Sequence, residues 1–233
     1  MTPTECIVLA GGLGTRLRDA VADKPKCMAP VGDQPFLYFL LQYLHRQGIT
    51  HVILSLGYMA EQVIEWCNNN PQPVRISFAT EPEPLGTGGG IMYALDKVEG
   101  DNIFIVNGDT YFDVNLPGLN SVHTSHHSNL SLALKPMTMF DRYGTVAINN
   151  KGQIFEFREK RFTVDMSLIN GGIYITSASF LKSLGLPLKF SFEKEVLEPL
   201  AASKQLYGFV SDAYFIDIGI PDDYYAFVNK YEQ

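Results

Sequence analysis

Two short stretches carry the residue types that chemistry on an anion needs. Ile7-Val8-Leu9-Ala10 is apolar throughout and runs into Gly11-Gly12-Leu13-Gly14-Thr15-Arg16-Leu17; Lys24-Pro25-Lys26 follows closely. Glycines at 11, 12 and 14 permit positive φ and let a ligand approach the backbone. Bare amide N–H groups in such a turn form an anion-binding concavity. Arg16 and Lys26 add fixed positive charge. Together these features suit a nucleoside triphosphate. The same stretch also reads as a plain βα turn with a solvated arginine. Spacing excludes two familiar phosphate signatures. A dinucleotide fingerprint needs a third glycine where Leu17 stands, and a P-loop needs a Gly-Lys pair, which the chain lacks.

Further candidates stand where apolar runs end. Asn107-Gly108-Asp109 closes the run 102–107, so Asp109 falls at the carboxyl edge of a strand, where open parallel sheets bind ligands. There it is a metal-ligand candidate and equally an Asx-turn or cap residue. Glu81 precedes a second glycine-rich turn, Leu85-Gly86-Thr87-Gly88-Gly89-Gly90. A carboxylate can accept from the adjacent N1–H and N2–H₂ donors of guanine, whereas uracil and thymine suit an amide better. The alternative for Glu81 is a solvated side chain between prolines. His123, His126 and His127 lie in a polar stretch and are read as no metal site. Tyr224, Tyr225 and Phe227 are read as packing.

These residues need a scaffold, and the hydrophobic pattern supplies one. Residues 7–10, 51–56, 74–78 and 102–107 read as strands. Residues 35–47 and 60–67 read as the helices between the first three. That alternation predicts a parallel sheet with right-handed crossovers. Residues 81–90 read as a turn, with a helix at 91–98. Beyond about residue 115 the pattern changes. A strand at 129–135 is followed by a hairpin, 144–148 and 153–157, around Asn149-Asn150-Lys151-Gly152. A glycine-interrupted strand covers 168–175. Helices are expected at 178–184 and 192–202, the second capped by Ser191. Strands at 206–210 and 213–218 precede a final helix at 221–231 with Pro at its first turn. The expected fold is α/β: a Rossmann-like mixed, mainly parallel sheet flanked by helices. One domain spans 1–233, with a nucleotide half over about 1–115 and a substrate half over about 116–233.

Composition narrows the partners. The 233 residues carry a net charge of −7 and no Lys/Arg-rich run. That argues against nucleic acid or an anionic membrane as the partner. No apolar run approaches the ~18 residues a membrane span needs. The cysteines, Cys6, Cys27 and Cys67, are odd in number and far apart, which suits free thiols in the cytoplasm.

Taken in order, the motifs resemble the nucleotidyltransferases that activate sugar 1-phosphates. The resemblance covers about residues 6–225. It is carried by the stretch 9–17, Lys24-Pro25-Lys26, Leu85-Gly86-Thr87-Gly88-Gly89, Asn107-Gly108-Asp109, Tyr143-Gly144, Glu159-Lys160, Asn170-Gly171-Gly172-Ile173-Tyr174 and Phe215-Ile216-Asp217-Ile218-Gly219. It implies the nucleotide-diphospho-sugar transferase fold. It also implies a reaction in which a sugar 1-phosphate oxygen attacks the α-phosphorus of an NTP and pyrophosphate leaves. In that family Leu9, Gly11, Gly12, Gly14, Thr15, Glu81, Gly86 and Thr87 would hold the nucleotide, with Glu81 towards the base. Arg16 would face the departing pyrophosphate and Lys26 the α-phosphate. Asp109 and Asp217 would hold Mg²⁺. Lys160 would grip the sugar phosphate, with Gly144, Glu159 and Asn170 on the sugar hydroxyls. Glu81 and the stretches 24–31 and 35–37 are most similar to members that use GTP and a heptose 1-phosphate. Members acting on mannose 1-phosphate with GTP, or N-acetylmuramate 1-phosphate with UTP, are near neighbours. A catalytically silent sugar-nucleotide sensor is opposed by the presence of Arg16, Lys26, Asp109 and Asp217. Monomer and homodimer both stay open.

Overall fold

The computed structural model describes residues 1–12, 17, 21, 23–158 and 162–232. In chain order the strands are β1 (Glu5–Leu9), β2 (Pro30–Val31), β3 (Gln34–Pro35), β4 (His51–Leu56), β5 (Arg75–Thr80), β6 (Asn102–Asn107), β7 (Thr110–Phe112), β8 (Leu130–Met137), β9 (Thr145–Ile148), β10 (Gln153–Arg158), β11 (Ser167–Ser177), β12 (Leu206–Val210) and β13 (Phe215–Asp217). The α-helices are α1 (Phe36–Arg46), α2 (Ala60–Asn69), α3 (Gly86–Ala94), α4 (Leu116–Ser125), α5 (Ala178–Ser183), α6 (Glu198–Ala202) and α7 (Pro221–Tyr231).

A nine-stranded mixed sheet runs β5-β4-β1-β6-β11-β8-β12-β10-β9. The first four strands are parallel, as the strand–helix alternation requires. Beyond them the pairing is antiparallel except for β8 with β12. Strand β9 also pairs with β11, so the far strands curl into a ring. The central strands β1, β4 and β6 are buried along nearly their whole length, which explains their continuous apolar runs. One face of the sheet carries a core including Phe36, Leu40, Phe104, Phe112 and Phe227. The other carries Ile7, Ile53, Ile105, Leu132 and Tyr174 beneath α3 and α6.

The structure corrects several expectations. The glycines at 86 and 88–90 lie inside helix α3, which starts five residues earlier than the apolar pattern suggests. Glycine is poor in a helix, but packing overrides propensity here. A Cβ on Gly88 would lie 2.1 Å from the Phe190 ring, and one on Gly89 would lie 2.4 Å from the Leu188 carbonyl. Neither Gly11 nor Gly12 takes a positive φ. Gly11 instead serves close approach, since a Cβ there would sit 3.1 Å from the Gly57 amide. The predicted helix over 192–202 is two pieces, a π-turn at Glu193–Leu197 followed by α6. Ser191 does accept a bond from the Lys194 amide at 3.3 Å. Helix α4 and the short strands β2, β3 and β7 were not foreseen. In α4, Asn115 caps the Gly118 amide, and His123 is buried against Ser131 at 3.1 Å. His126 stacks on Tyr207 with ring centroids 4.1 Å apart. These two histidines are therefore packing residues.

Candidate active site

The carboxyl ends of β1, β4, β5 and β6 open onto a cleft of about 580 Å³, the edge where such sheets bind ligands. Leu9, Gly11, Gly12, Glu81, Gly86 and Thr87 line it, together with Lys26 and Asp109. Gly108 is needed there because a Cβ would lie 2.6 Å from the Leu9 carbonyl oxygen. A second cavity of about 350 Å³ adjoins it, lined by Arg142, Tyr143, Gly144, Asn170 and Asp217 among others. Asn107 and Glu193 border both.

Asp109 and Asp217 come together at the join, although 108 positions separate them in sequence. Strand β13 pairs antiparallel with β7, setting Asp217 opposite Thr110, and the Ile218 amide donates to the Asp109 carbonyl at 3.0 Å. Burial, then the Asp109 charge, push the Asp217 carboxyl above its ordinary range. The Gly219 amide, donating to Asp217 Oδ1 at 2.8 Å, opposes this. Lys26 Nζ donates to Asp109 Oδ2 at 3.0 Å, both partly buried. Lys26 starts a single 3₁₀ turn, Lys26–Met28, after an extended Pro25. Two neighbouring carboxylates, with Asp217 disfavoured as an anion by burial and by the Asp109 charge, form a donor set that a hard divalent cation would relieve. The pair therefore fits such an ion.

Glu81 is half-buried and held by hydrogen bonds. Its Oε2 accepts the Leu85 amide at 2.9 Å, and its Oε1 lies 3.5 Å from Ser55 Oγ. Each oxygen keeps a lone pair for a ligand. Gly90 permits this, since a Cβ there would come within 2.5 Å of Glu81 Oε1. Thr87 Oγ1 donates to Glu193 Oε2 at 2.8 Å. Cys27 also lines the cleft, but burial first, and the Cys67 and Asp109 charges next, push its thiol up to about 12, so it stays protonated.

In the second cavity, Gly144 is required by the hairpin itself, for a Cβ would lie 2.5 Å from the Arg158 carbonyl oxygen. Asn170 donates to Tyr174 Oη at 2.8 Å and accepts the Gly172 amide at 3.0 Å, stapling the irregularity in β11. Gly14, Thr15, Arg16, Glu159 and Lys160, expected in the site, lie outside the described residues. Sequence reasoning missed Ser55, Arg142, Glu193 and Asp223. Arg142 sits over the Tyr143 ring, 5.2 Å from its centroid, and pairs with Asp223. The Arg-Tyr-Gly order at 142–144 held a signal, since a cation directly precedes a cavity glycine. Glu193 and Asp223 carried none, being ordinary acids near helix starts.

Among the described residues, Glu5, His51 and Glu99 form the only cluster of three or more His, Cys, Asp or Glu groups able to share an ion. It lies at the opposite ends of the strands. Glu5 there is already committed to the Glu99 and Gly100 amides and to His51 Nδ1 at 2.7 Å. It is a staple across the sheet edge.

Comparison with known proteins agrees with this architecture. D-glycero-alpha-D-manno-heptose 1-phosphate guanylyltransferase of Aneurinibacillus thermoaerophilus is 47% identical over 94% of this chain and 95% of its own. The Campylobacter jejuni enzyme of the same name is 42% identical over 96% and 98%. The crystal structure of HddC from Yersinia pseudotuberculosis complexed with GMP-PN superposes with a TM-score of 0.85 at 37% identity, covering 98% of this chain and all of that one. The family model for nucleotidyl transferases matches residues 5–233, and the chain belongs to that family: it is a nucleotidyltransferase.

Proposed function

We propose that this enzyme transfers GMP from GTP to D-glycero-α-D-manno-heptose 1-phosphate, forming the GDP-sugar and pyrophosphate. The observation that carries the guanine assignment is Glu81, held by the Leu85 amide at the wall of the larger cleft. The named relatives support the sugar. The cleft lined mostly by residues 9–109 takes the nucleotide, and the cavity lined by residues 107–217 takes the sugar 1-phosphate. These are two halves of one domain, about 1–115 and about 116–233.

The reaction joins two anions, so positioning and charge stabilisation dominate. Leu9, Gly11, Gly12, Gly14 and Thr15 cradle the nucleotide, with Gly86 and Thr87 at the start of α3, where helix amides favour anions. Lys26 stands beside Asp109, placed to meet the α-phosphate as charge moves. Arg16 faces the departing pyrophosphate, and Lys160 grips the sugar phosphate. Gly144, Glu159 and Asn170 orient the sugar. Asp109 and Asp217 would hold Mg²⁺, which when bound would supply charge neutralisation for the phosphates. The chain acts in the cytoplasm; among the described residues no helix is long and apolar enough to cross a membrane.

A matrix of GTP, ATP, UTP and CTP against a panel of sugar 1-phosphates, read as pyrophosphate release, tests the assignment. GTP with the heptose 1-phosphate should give the highest kcat/KM. Turnover only with another base or sugar overturns it. Glu81→Gln should shift preference from GTP towards UTP; an unchanged GTP preference would remove Glu81 from base reading.

A further inference from the structure

The π-turn at Glu193–Leu197 has a local cause. Pro199 has no N–H to donate one turn back, so the regular i→i−4 ladder fails at this point. The Glu198 amide donates instead to the Glu193 carbonyl, five residues earlier. Ser191 and Glu195 hold the start of the turn, with the Ser191 amide donating to Glu195 Oε2 at 3.0 Å. In a regular helix, residues five apart diverge around the axis. An i→i+5 turn brings them onto one side. Both carboxylates accordingly border the smaller cavity.

The two acids are not equivalent. Glu193 is half-buried, borders the nucleotide cleft as well, and its Oε2 accepts from Thr87 Oγ1 and Ser191 Oγ, each at 2.8 Å. Glu198 borders only the smaller cavity, at its exposed rim, and has no salt-bridge partner among the described residues. Arg142 and Asp217 line the same cavity from its catalytic side. Glu198 thus stands exposed at the cavity that, on the reading above, takes the sugar 1-phosphate.

We propose that Glu198, brought round by the π-turn, is the specificity-determining residue that reads the sugar's side arm. A heptose carries vicinal hydroxyls on C6 and C7, where a hexose such as mannose has a single C6 hydroxyl. One carboxylate accepts from two neighbouring hydroxyls with its two oxygens. A site built for such donors discriminates against a substrate that lacks one. Glu193, tied to Thr87, keeps the turn in register with the nucleotide cleft. The inference rests on the sugar 1-phosphate reading above.

The test compares kcat/KM for the heptose 1-phosphate and mannose 1-phosphate, at saturating GTP, in wild type, Glu198→Ala, Glu198→Gln and Lys194→Ala. Lys194 is an exposed neighbour on the same turn. Glu198→Ala should lower the heptose-to-mannose ratio roughly 10- to 100-fold, the scale of losing a charged hydrogen-bond acceptor, chiefly through the heptose KM. Glu198→Gln, which keeps the shape and one acceptor, should fall between. Lys194→Ala should keep the wild-type ratio. A Glu198→Ala ratio within about threefold of wild type overturns the assignment, as does an equal shift in Lys194→Ala. Titration of each variant with a fluorescent GTP analogue shows that the cleft is folded. Failure of wild type to turn over any sugar 1-phosphate sinks the underlying reading instead, an outcome distinct from an unmoved ratio.

Discussion

Lys26 shows how one side chain links two tasks. Its ammonium lies 3.0 Å from Asp109 and so offsets part of the repulsion between Asp109 and Asp217. It also borders the larger cleft. Lys26→Ala should lower kcat by ~10²–10³-fold, as for loss of one preorganised charge-stabilising group. Single-turnover kinetics check this; wild-type kcat would leave Lys26 as a structural ion pair only. Lys26→Arg should not restore the rate, because a planar fork does not replace a point charge at this distance. At this scale the sequence was informative where chemistry restricts residue type. Lys26, Glu81 and Asp109 all border the larger cleft, and Asp217 reaches Asp109 as the family resemblance implied. Glu193 and Asp223 were illegible because their importance comes from contacts across the fold.

Among the elements, the parallel half was the more legible. Buried central strands must be apolar on both faces, so β1, β4 and β6 announce themselves. Helix α3 did not, because its run of glycines is set by Phe190 and Leu188, about a hundred residues later. The start of α7 is a comparable case. Asp223 in its first turn holds Arg142 over Tyr143 at the edge of the smaller cavity. Asp223→Asn should loosen that guanidinium and raise the KM for the sugar 1-phosphate several-fold, leaving the KM for GTP nearly unchanged. Steady-state kinetics with each substrate varied in turn measure the split. A rise confined to GTP would show that Arg142 serves the other cleft.

On the scale of the molecule, the sheet has one edge for chemistry and one for stability. At the stabilising edge, burial alone would raise the Glu5 carboxyl, but the Gly100 and Glu99 amides and His51 outweigh it and hold it below the ordinary carboxylate range. A carboxyl with a depressed folded pKa stabilises above its unfolded value, and that stability is lost as pH falls through the folded one. Melting temperature should therefore drop on acidification below about pH 4.5, and the drop should be shallower in Glu5→Gln. The variant should also be less stable at neutral pH, by about 1–3 kcal/mol, the scale of weakening hydrogen bonds to a charged acceptor. Thermal melts across pH 3–7 check both; parallel acid limbs would exclude Glu5 as the titrating group.

Helix α7 has one more consequence, which concerns time. Tyr224 Oη donates to the Pro30 carbonyl at 2.6 Å, Glu232 accepts the Gly32 amide at 3.0 Å, and Phe227 packs on Phe36 with centroids 4.8 Å apart. Each contact joins the last helix to the segment just after Lys26, about two hundred residues earlier. During synthesis from the amino end, strands β1, β4 and β6 emerge long before the helix that braces the loop bearing Lys26. The segment that follows Lys26, beside the larger cleft, therefore gains this brace only after α7 has been made. A chain cut before α7 lacks all three of these contacts.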